Sequence, residues 1–310
     1  MKNLRLVPAT AAVVAFASLA PPAAGQAFTP PQGVGAVTVA WQYVNNTGHR
    51  LSDGFFVERG QSVTTSVDLE LEYGFTDRLS ATLGIPYVWA KYTGAQPPPS
   101  GLPVDTCGCW HSGFQDYTLS ARYRFGHEPW AVTPLLRYVL PSHDYKYQGE
   151  AVVGRNLQEL QVGVAAALRL TAFLPQASVG AGYTYAFVER AIPGVSIDRS
   201  NGYVEIGYAL TRRLYVREIG IWQRTHGGLR FGSPTGDPFF PPGELNTPAR
   251  IQQRDRLLRT NYWQAGGGLA YSTGPFDVFA SVVGYVWGRD AHAGQSYTVG
   301  ATWYFGGETN

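Results

Sequence analysis

Strict alternation of apolar and polar residues predicts a β-hairpin early in the chain. Segment 67–73 reads VDLELEY, and after the short connection 74–78 the alternation resumes in 79–85. Successive side chains of a strand point to opposite faces, so one face carries valine, leucine and tyrosine and the other carries carboxylates. A sheet with these two faces is typical of a barrel with lipid outside and water inside.

The same alternation predicts about twelve strands. In chain order they are 35–44, 63–75, 79–91, 115–125, 130–140, 157–170, 173–188, 202–210, 214–223, 261–271, 276–287 and 296–305. Short connections alternate with long ones, which lie near 45–62, 92–114, 141–156, 189–201, 224–260 and 288–295. Outer-membrane barrels have short periplasmic turns and long outer loops. We therefore predict an all-β fold, a transmembrane antiparallel up-and-down β-barrel, with both termini in the periplasm of a Gram-negative cell.

The segment 1–27 has the layout of a secretory signal peptide. Lys2 and Arg5 precede the apolar run 9–20, and small residues offer cleavage sites that end at Gly25 or Ala27. We predict that 1–27 is removed and that 28–310 form a single barrel domain. Removal of the two cations takes the formal net charge from +2 to zero, which gives no support for nucleic-acid binding.

Composition agrees with a membrane barrel. Charged residues make up only 15% of the chain and aromatic residues 14%, with 37 glycines. Aromatic residues on the apolar faces are expected to anchor the barrel at the membrane interfaces. By alternation, Tyr262, Tyr285 and Trp287 fall instead on the inward face, where they are candidates for contact with a solute.

Charged residues on the inward faces are the main functional candidates. The predicted lumen and selectivity residues are Asp68, Glu70, Glu72, Asp116, Arg122, Arg124, Arg137, Glu159, Arg169, Glu205, Arg217 and Asp277. In a pore such residues select which charge passes, whereas in a narrow barrel they can pair across strands and fill the interior. Glu218 directly follows Arg217, so one of these two side chains points outward unless a bulge resets the register.

Two segments resemble a known family of outer-membrane barrels. They are 72–80 with 84–88, and 113–116 with 119–124, which read EYGFTDRLS, GIPYV, GFQD and LSARYR. These motifs resemble the outer-membrane transporter family named for the meta-pathway of phenol degradation. The resemblance covers roughly residues 66–125. It implies a barrel channel for aromatic or other hydrophobic small molecules.

A second candidate site is the segment 105–111, DTCGCWH. Cys107, Cys109 and His111 could hold a soft metal weakly. Exported thiols tend to oxidise, so a disulfide is the alternative. Three ligands without a fourth fall short of a structural zinc site, and we predict neither a bound metal nor another cofactor.

The sequence gives no support for catalysis. All six histidines fall in predicted turns or loops, and Ser142, His143 and Asp144 are neighbours in sequence, which a catalytic triad does not require. We predict a channel that is not an enzyme and that passes small molecules by passive or facilitated diffusion, gated by the loops 92–114 and 224–260. The alternatives are a structural or surface-interaction barrel with a plugged lumen and, less favoured, a lipase- or protease-type barrel. The expected partners are outer-membrane lipid, lipopolysaccharide, the barrel-assembly machinery and the solute.

Overall fold

A computed structural model describes residues 27–58, 60–94, 108–145, 151–191, 193–229 and 256–306. Its strands form one antiparallel sheet. They are β1 (Gly35–Arg50), β2 (Phe56–Val57), β3 (Gln61–Gly74), β4 (Leu79–Thr93), β5 (His111–Phe114), β6 (Asp116–Tyr123), β7 (Phe125–His127), β8 (Trp130–Pro141), β9 (Glu159–Arg169), β10 (Ala177–Val188), β11 (Ile197–Ala209), β12 (Leu214–Gly227), β13 (Asn261–Ser272), β14 (Phe276–Arg289) and β15 (Ala291–Phe305).

These strands make a closed barrel with twelve strands in its wall. β5, β6 and β7 are parts of one wall strand, interrupted at Gln115 and Arg124, and β2 is a two-residue strand that pairs with the end of β1 in the first loop. The first and last strands close the barrel, since β1 pairs with β15 from Gly35 opposite Phe305 to Arg50 opposite Ala291. The predicted all-β, twelve-stranded antiparallel barrel is confirmed.

The two ends of the barrel differ in their connections. The turn end holds the start of β1, the end of β15 and short connections such as 75–78 and 210–213; the loop end holds the longer connections. One predicted long connection, 288–295, is wrong: β14 and β15 meet in a tight turn at Asp290, whose backbone φ is 51°. Among the described residues, no helix has the length and apolar character needed to cross a membrane.

The outer surface of the barrel is apolar and carries two bands of aromatic side chains. At the turn end, Tyr73 packs edge-on to Phe75 and Tyr123 to Phe125. The second band lies further along the strands and includes the contacts Trp41–Tyr43, Tyr43–Tyr297, Tyr87–Trp89, Tyr183–Trp222 and Trp222–Trp263. Two aromatic bands on either side of an apolar zone are what the interfaces of a membrane require.

The register of β12 decides the direction of its two adjacent charges. Arg217 faces the lumen and is 8% exposed. Glu218 is exposed on the outer surface, opposite Ile206 of β11 and Gly267 of β13. The barrel therefore carries a carboxylate on its apolar side, where aspartate and glutamate cost less than arginine or lysine.

Chain segments cover the lumen at both ends. At the loop end, residues 151–158, 193–196, 228–229 and 256–260, which we call the lid, fold inward. Their apolar side chains pack on the inner wall in the cluster Leu157, Ala186, Val188, Val195, Ile197, Leu229, Leu257 and Leu258. At the turn end, residues 27–34, which we call the strap, precede β1 and enter the barrel, where Ala27 is fully buried.

Candidate functional site: the lumen

The lumen contains a cavity of about 360 Å³ beneath the lid. Its upper boundary includes Val153, Gly154, Arg155 and Leu258, all from the lid. Its walls are the inward side chains of the barrel strands. Because the strands alternate faces, only every second residue of a wall strand can direct its side chain to this surface. The cavity is the place where a solute inside the barrel would contact the protein.

One side of the cavity is charged. On β9 and β11, Glu159 and Arg199 form an ion pair, and Gln161 donates a hydrogen bond of 2.9 Å to the second oxygen of Glu159. On β11 and β12, a carboxylate oxygen of Glu205 lies 3.7 Å from a guanidinium nitrogen of Arg217. These side chains project from β9, β11 and β12 on the same side of the barrel, so opposite charges line one wall at fixed positions.

The side formed by β1, β3, β14 and β15 presents mainly uncharged polar groups. Its residues are Gln42, Asn46, Ser62, Thr64, Ser281, Ser296 and Thr298. Apolar side chains also reach the cavity from β8, β12 and β14, namely Leu135, Val139, Ile219, Ile221 and Val283. The lining can therefore contact both the charged and the apolar parts of a small molecule.

Five of the predicted lumen residues line the cavity: Asp116, Arg137, Glu159, Glu205 and Arg217. The charges of Glu70, Arg122 and Glu159 all act on Arg137. Asp116 accepts a hydrogen bond of 2.5 Å from the hydroxyl of Tyr145. The structure thus brings these five residues together around one space.

A second group of predicted residues lies inside the barrel, nearer the turn end. Glu72 of β3 forms an ion pair with Arg122 of β6. Asp68 accepts a hydrogen bond of 2.8 Å from Ser66, and Glu70 lies in the field of Arg137 and Arg122. These acids and arginines are partly paired with one another, as expected of a narrow lumen.

The remaining three predicted residues lie at the turn end. Arg124 donates a hydrogen bond of 2.7 Å to the backbone carbonyl of Asp77. Asp277 accepts one of 2.9 Å from the hydroxyl of Tyr304. Arg169 forms a 2.6 Å ion pair with Glu128, and its side chain is 43% exposed. They belong to the rim of the barrel and not to the cavity.

The aromatic candidates are split between the two faces. Tyr262 and Tyr285 face inward and are buried together with Ala291 and Ala293. The prediction that Trp287 faces inward is wrong, because its side chain is 56% exposed on the outer surface. A bulge causes the difference: Gln264 pairs with Tyr285 and Trp263 with Trp287, so one extra residue shifts the alternation.

The cysteine segment shows no metal centre in the part of the chain that the structure describes. Cys109 takes part in a disulfide, and Cys107 lies outside the described residues. His111 begins β5 and is half-buried. No group of three histidine, cysteine, aspartate or glutamate side chains placed to hold a metal ion occurs within the described ranges.

Several histidines are placed differently from the expectation. His49, His111, His127, His226 and His292 lie in strands and only His143 lies in a connection. His143 Nδ1 is 2.8 Å from the hydroxyl of Ser142, but the Asp144 carboxylate accepts a hydrogen bond from Asn156 instead. The neighbours Ser142, His143 and Asp144 therefore do not form a catalytic triad.

Alternation alone did not identify three cations of the cavity. Arg199 falls in a predicted connection, because the predicted strand begins at residue 202, whereas β11 begins at Ile197. Arg155 and Arg259 belong to the lid. A predicted strand that began at residue 197 would have placed Arg199 on the inward face. Arg155 and Arg259 lie in irregular segments, where alternation predicts nothing.

The lid is held by a hydrogen-bond network around Tyr145. Its hydroxyl donates to Asp116 and accepts a 2.7 Å hydrogen bond from the backbone N–H of Asn156. Arg256 donates to the backbone carbonyls of Arg155, at 2.8 Å, and Asn156. These contacts join the connections after β8 and before β13. Residues 95–107 and 230–255 of the two predicted gating loops lie outside the described residues, so their role as gates stays a prediction.

Replacing Tyr145 by phenylalanine should loosen the lid. Burial first, and then the Asp116 carboxylate, raise the pKa of Tyr145 above its ordinary value, so its hydroxyl stays protonated and able to donate. Loss of the hydroxyl leaves two polar partners unpaired, at a cost of about 1–3 kcal/mol. We expect faster amide hydrogen exchange in residues 151–158 and 256–260. The stabilisation should be complete below about pH 10 and decline above it.

Tyr297→Phe is the matched control for this prediction. The Tyr297 hydroxyl donates to Gln295 on the exposed outer side of β15, at 2.7 Å, away from the lid. Its removal should leave lid exchange unchanged. Equal exchange in the two variants would show that the Tyr145 hydroxyl does not hold the lid.

Comparison with known proteins places the fold. A scan of protein-family models found no match, and no curated protein matches the chain in sequence. Among solved structures, the COG4313 outer membrane channel from Pseudomonas putida F1 aligns with a TM-score of 0.67 and 13% identity, covering 91% of this chain and 98% of that chain. The NanC porin aligns at 0.49 and 10%, covering 86% and 98%. At 13% identity the likeness to the COG4313 channel concerns the fold, which is that of a twelve-stranded outer-membrane β-barrel.

Proposed function

We propose that this protein is an outer-membrane channel that admits small molecules by passive or facilitated diffusion through a narrow, charged lumen. The observation that carries the proposal is the cavity of about 360 Å³, which lies inside a barrel with an apolar outer surface and is lined by buried charges and polar groups. A purely structural barrel has no need of such a space. The similar Pseudomonas putida protein is itself described as an outer membrane channel, which supports the same role.

The lining also favours a class of solute. Leu135, Ile219 and Ile221 offer apolar contact beside the ion pairs of Glu159 and Glu205. A small aromatic or hydrophobic compound that carries a polar group would satisfy both surfaces. The resemblance of 72–88 and 113–124 to the meta-pathway transporter family supports the same class. Arg137, Glu159, Glu205 and Arg217 are the residues we propose as its selectivity filter.

The two unlike ends of the barrel support a proposal for its orientation. We propose that the turn end faces the periplasm, with both termini there, and that the loop end with its lid faces outward, as in other outer-membrane barrels. The aromatic bands would then lie at the lipid and lipopolysaccharide interfaces. Insertion by the barrel-assembly machinery belongs to the same proposal.

Single-channel recording in a planar bilayer tests the proposal. Refolded mature protein, shown to be folded by heat-resistant gel mobility, should give stable current steps, and liposomes that contain it should swell in small solutes. Barrel that had been boiled before addition is the control. The lid and the strap favour a plugged structural barrel as the second candidate. Folded protein that gives neither current nor swelling would support that candidate and reject the channel.

A further inference from the structure

The strap runs across the inside of the turn end. It starts beside β8 and β9 at Ala27 and joins β1 at Gly35. Around the twelve-stranded wall, β9 is the fifth strand from β1 in the order β1, β3, β4, β6, β8, β9. The two ends of the strap therefore contact nearly opposite sides of the barrel, and the segment between them spans its opening.

The wall of β8 and β9 is shaped to receive the free end of the strap. Ala27 packs against Ala131, Ala165 and Ala167, whose inward side chains are all buried. The hydroxyl of Thr133, also fully buried, donates a 2.5 Å hydrogen bond to the backbone carbonyl of Ala27. Further from the turn end the inward residues of β8 are larger, at Leu135 and Arg137. Small side chains thus occur where the strap lies.

The side chain of Phe28 extends the contact to the rim. The Arg169 guanidinium lies 5.6 Å from the centre of the Phe28 ring, a cation–π arrangement. Arg169 is in turn paired with Glu128 of the turn between β7 and β8. These two contacts explain why the side chain of Arg169 does not reach the cavity.

The other end of the strap is fixed to β3 and to the turn that follows it. Gly33 donates from its backbone N–H to Gly74, and Gly74 donates to Val34, both at 2.9 Å. A side chain at Gly74 would meet the carbonyl oxygen of Pro31 at 2.3 Å, so glycine is required there. The backbone N–H of Gln32 donates a 3.0 Å hydrogen bond to the Asp77 carboxylate.

We propose that the strap is a periplasmic gate that remains in the mature protein, with a fixed hinge at Gly33 and a releasable end at Ala27. Gly33 has a backbone φ of 77° and open space around it. The segment that would swing is held by three hydrogen bonds: Thr133 donates to Ala27, Thr29 donates to the backbone carbonyl of Asp77 at 3.1 Å, and Gln32 donates to the Asp77 carboxylate. The Ala27 methyl group in its alanine pocket and the Phe28 ring add apolar contacts. Such contacts are weak enough to be broken by thermal motion.

The same geometry selects between the two signal-peptidase sites, and it replaces the boundary predicted from the sequence, after residue 27, with cleavage after Gly25. Cleavage after Ala27 would remove the residue whose methyl group and carbonyl seat the strap. Cleavage after Gly25 keeps it. The intact mass of protein purified from outer membranes should therefore correspond to a chain that begins at or before Ala27. A mature chain that begins at Phe28 would overturn the proposal, whether or not the protein conducts.

A cross-link tests the position and the gating together. In a Cys107→Ser, Cys109→Ser background, Ala27→Cys with Ala165→Cys should form a disulfide on oxidation. The gate rests on the proposed channel function. Disulfide formation is therefore measured by mass, independently of any current. Oxidised protein should show smaller, steadier current steps than reduced protein. Cross-linking without any current would support the strap and reject the channel. Failure to cross-link in folded protein would overturn the strap.

Removal of residues 27–29 gives the complementary result. We expect single-channel conductance to rise about two-fold or more, since the segment blocks part of the opening. Thr133→Val should raise the frequency of openings while leaving the largest conductance unchanged. Thr302→Val is the matched control: Thr302 is equally buried, but its hydroxyl bonds to Thr38 of β1 at 2.8 Å, whereas the Thr133 hydroxyl bonds to Ala27 of the strap. The gate would be overturned if the protein without residues 27–29 and the Thr133→Val variant both had the conductance and opening frequency of the unmodified protein.

Discussion

Replacing Gly266 by alanine should prevent the barrel from closing. Gly266 lies in β13, and an added Cβ would be 2.0 Å from the carbonyl oxygen of Val282 and 2.6 Å from the Cα of Val283. Both atoms belong to the backbone of β14, which cannot move without breaking its own pairing. We expect a loss of about 3 kcal/mol or more in the free energy of unfolding. On unheated gels, the compact heat-modifiable band should be strongly reduced.

Gly284→Ala is the matched control in the neighbouring strand. At Gly284 the nearest atom to an added Cβ is the Cγ of Gln295, at 3.8 Å, an ordinary contact with a flexible side chain. This variant should fold as the unmodified chain does. If Gly266→Ala gave the same yield of compact barrel as Gly284→Ala, the close approach of β13 and β14 would be wrong.

Arg137→Glu should shift the ion selectivity of the channel towards cations. Within the part of the chain that the structure describes, five arginines (Arg137, Arg155, Arg199, Arg217 and Arg259) and four acids (Asp116, Glu159, Glu205 and Asp290) line the cavity. The substitution reverses this small excess of positive charge. In a narrow lumen, where screening is weak, we expect the anion-to-cation permeability ratio to fall about three- to ten-fold. Reversal potentials under a salt gradient measure it.

Arg213→Glu makes the same charge change outside the lumen. Arg213 is exposed in the turn between β11 and β12, where water and salt screen its charge. Its substitution should leave the reversal potential nearly unchanged. An equal shift of the reversal potential in the two variants would mean that the net charge of the protein controls selectivity. Arg137 would then not be part of the selectivity filter.

Alternation predicted the wall of the barrel because a period of two is a local property of each strand. It placed Glu159 and Glu205 in the lumen without any knowledge of their neighbours, and both line the cavity. It also showed that Arg217 and Glu218 cannot share a face. Which of the two faces outward depends on the register of β12 against β11, and pairing between strands supplied that answer.

The parts that alternation missed are those without a period. Trp287 changes face because of a bulge, which one inserted residue produces without any marked change in composition. The lid residue Arg155 and the strap residue Ala27 lie in irregular segments, whose position inside the barrel depends on contacts with distant strands. The small inward residues Ala131, Ala165 and Ala167 are a sequence signal for the strap. They cannot be interpreted as a binding pocket, however, until the segment that packs on them is known.

The pairing of β1 with β15 has a consequence for the biogenesis of the protein. The pairs that close the sheet begin with Gly35 opposite Phe305, so closure needs contacts between the two ends of the barrel sequence. Until the final strand is in place, any partly assembled sheet exposes two unpaired edges that can pair with other chains. The period before β15 pairs with β1 is therefore the stage at which this chain is most prone to aggregate.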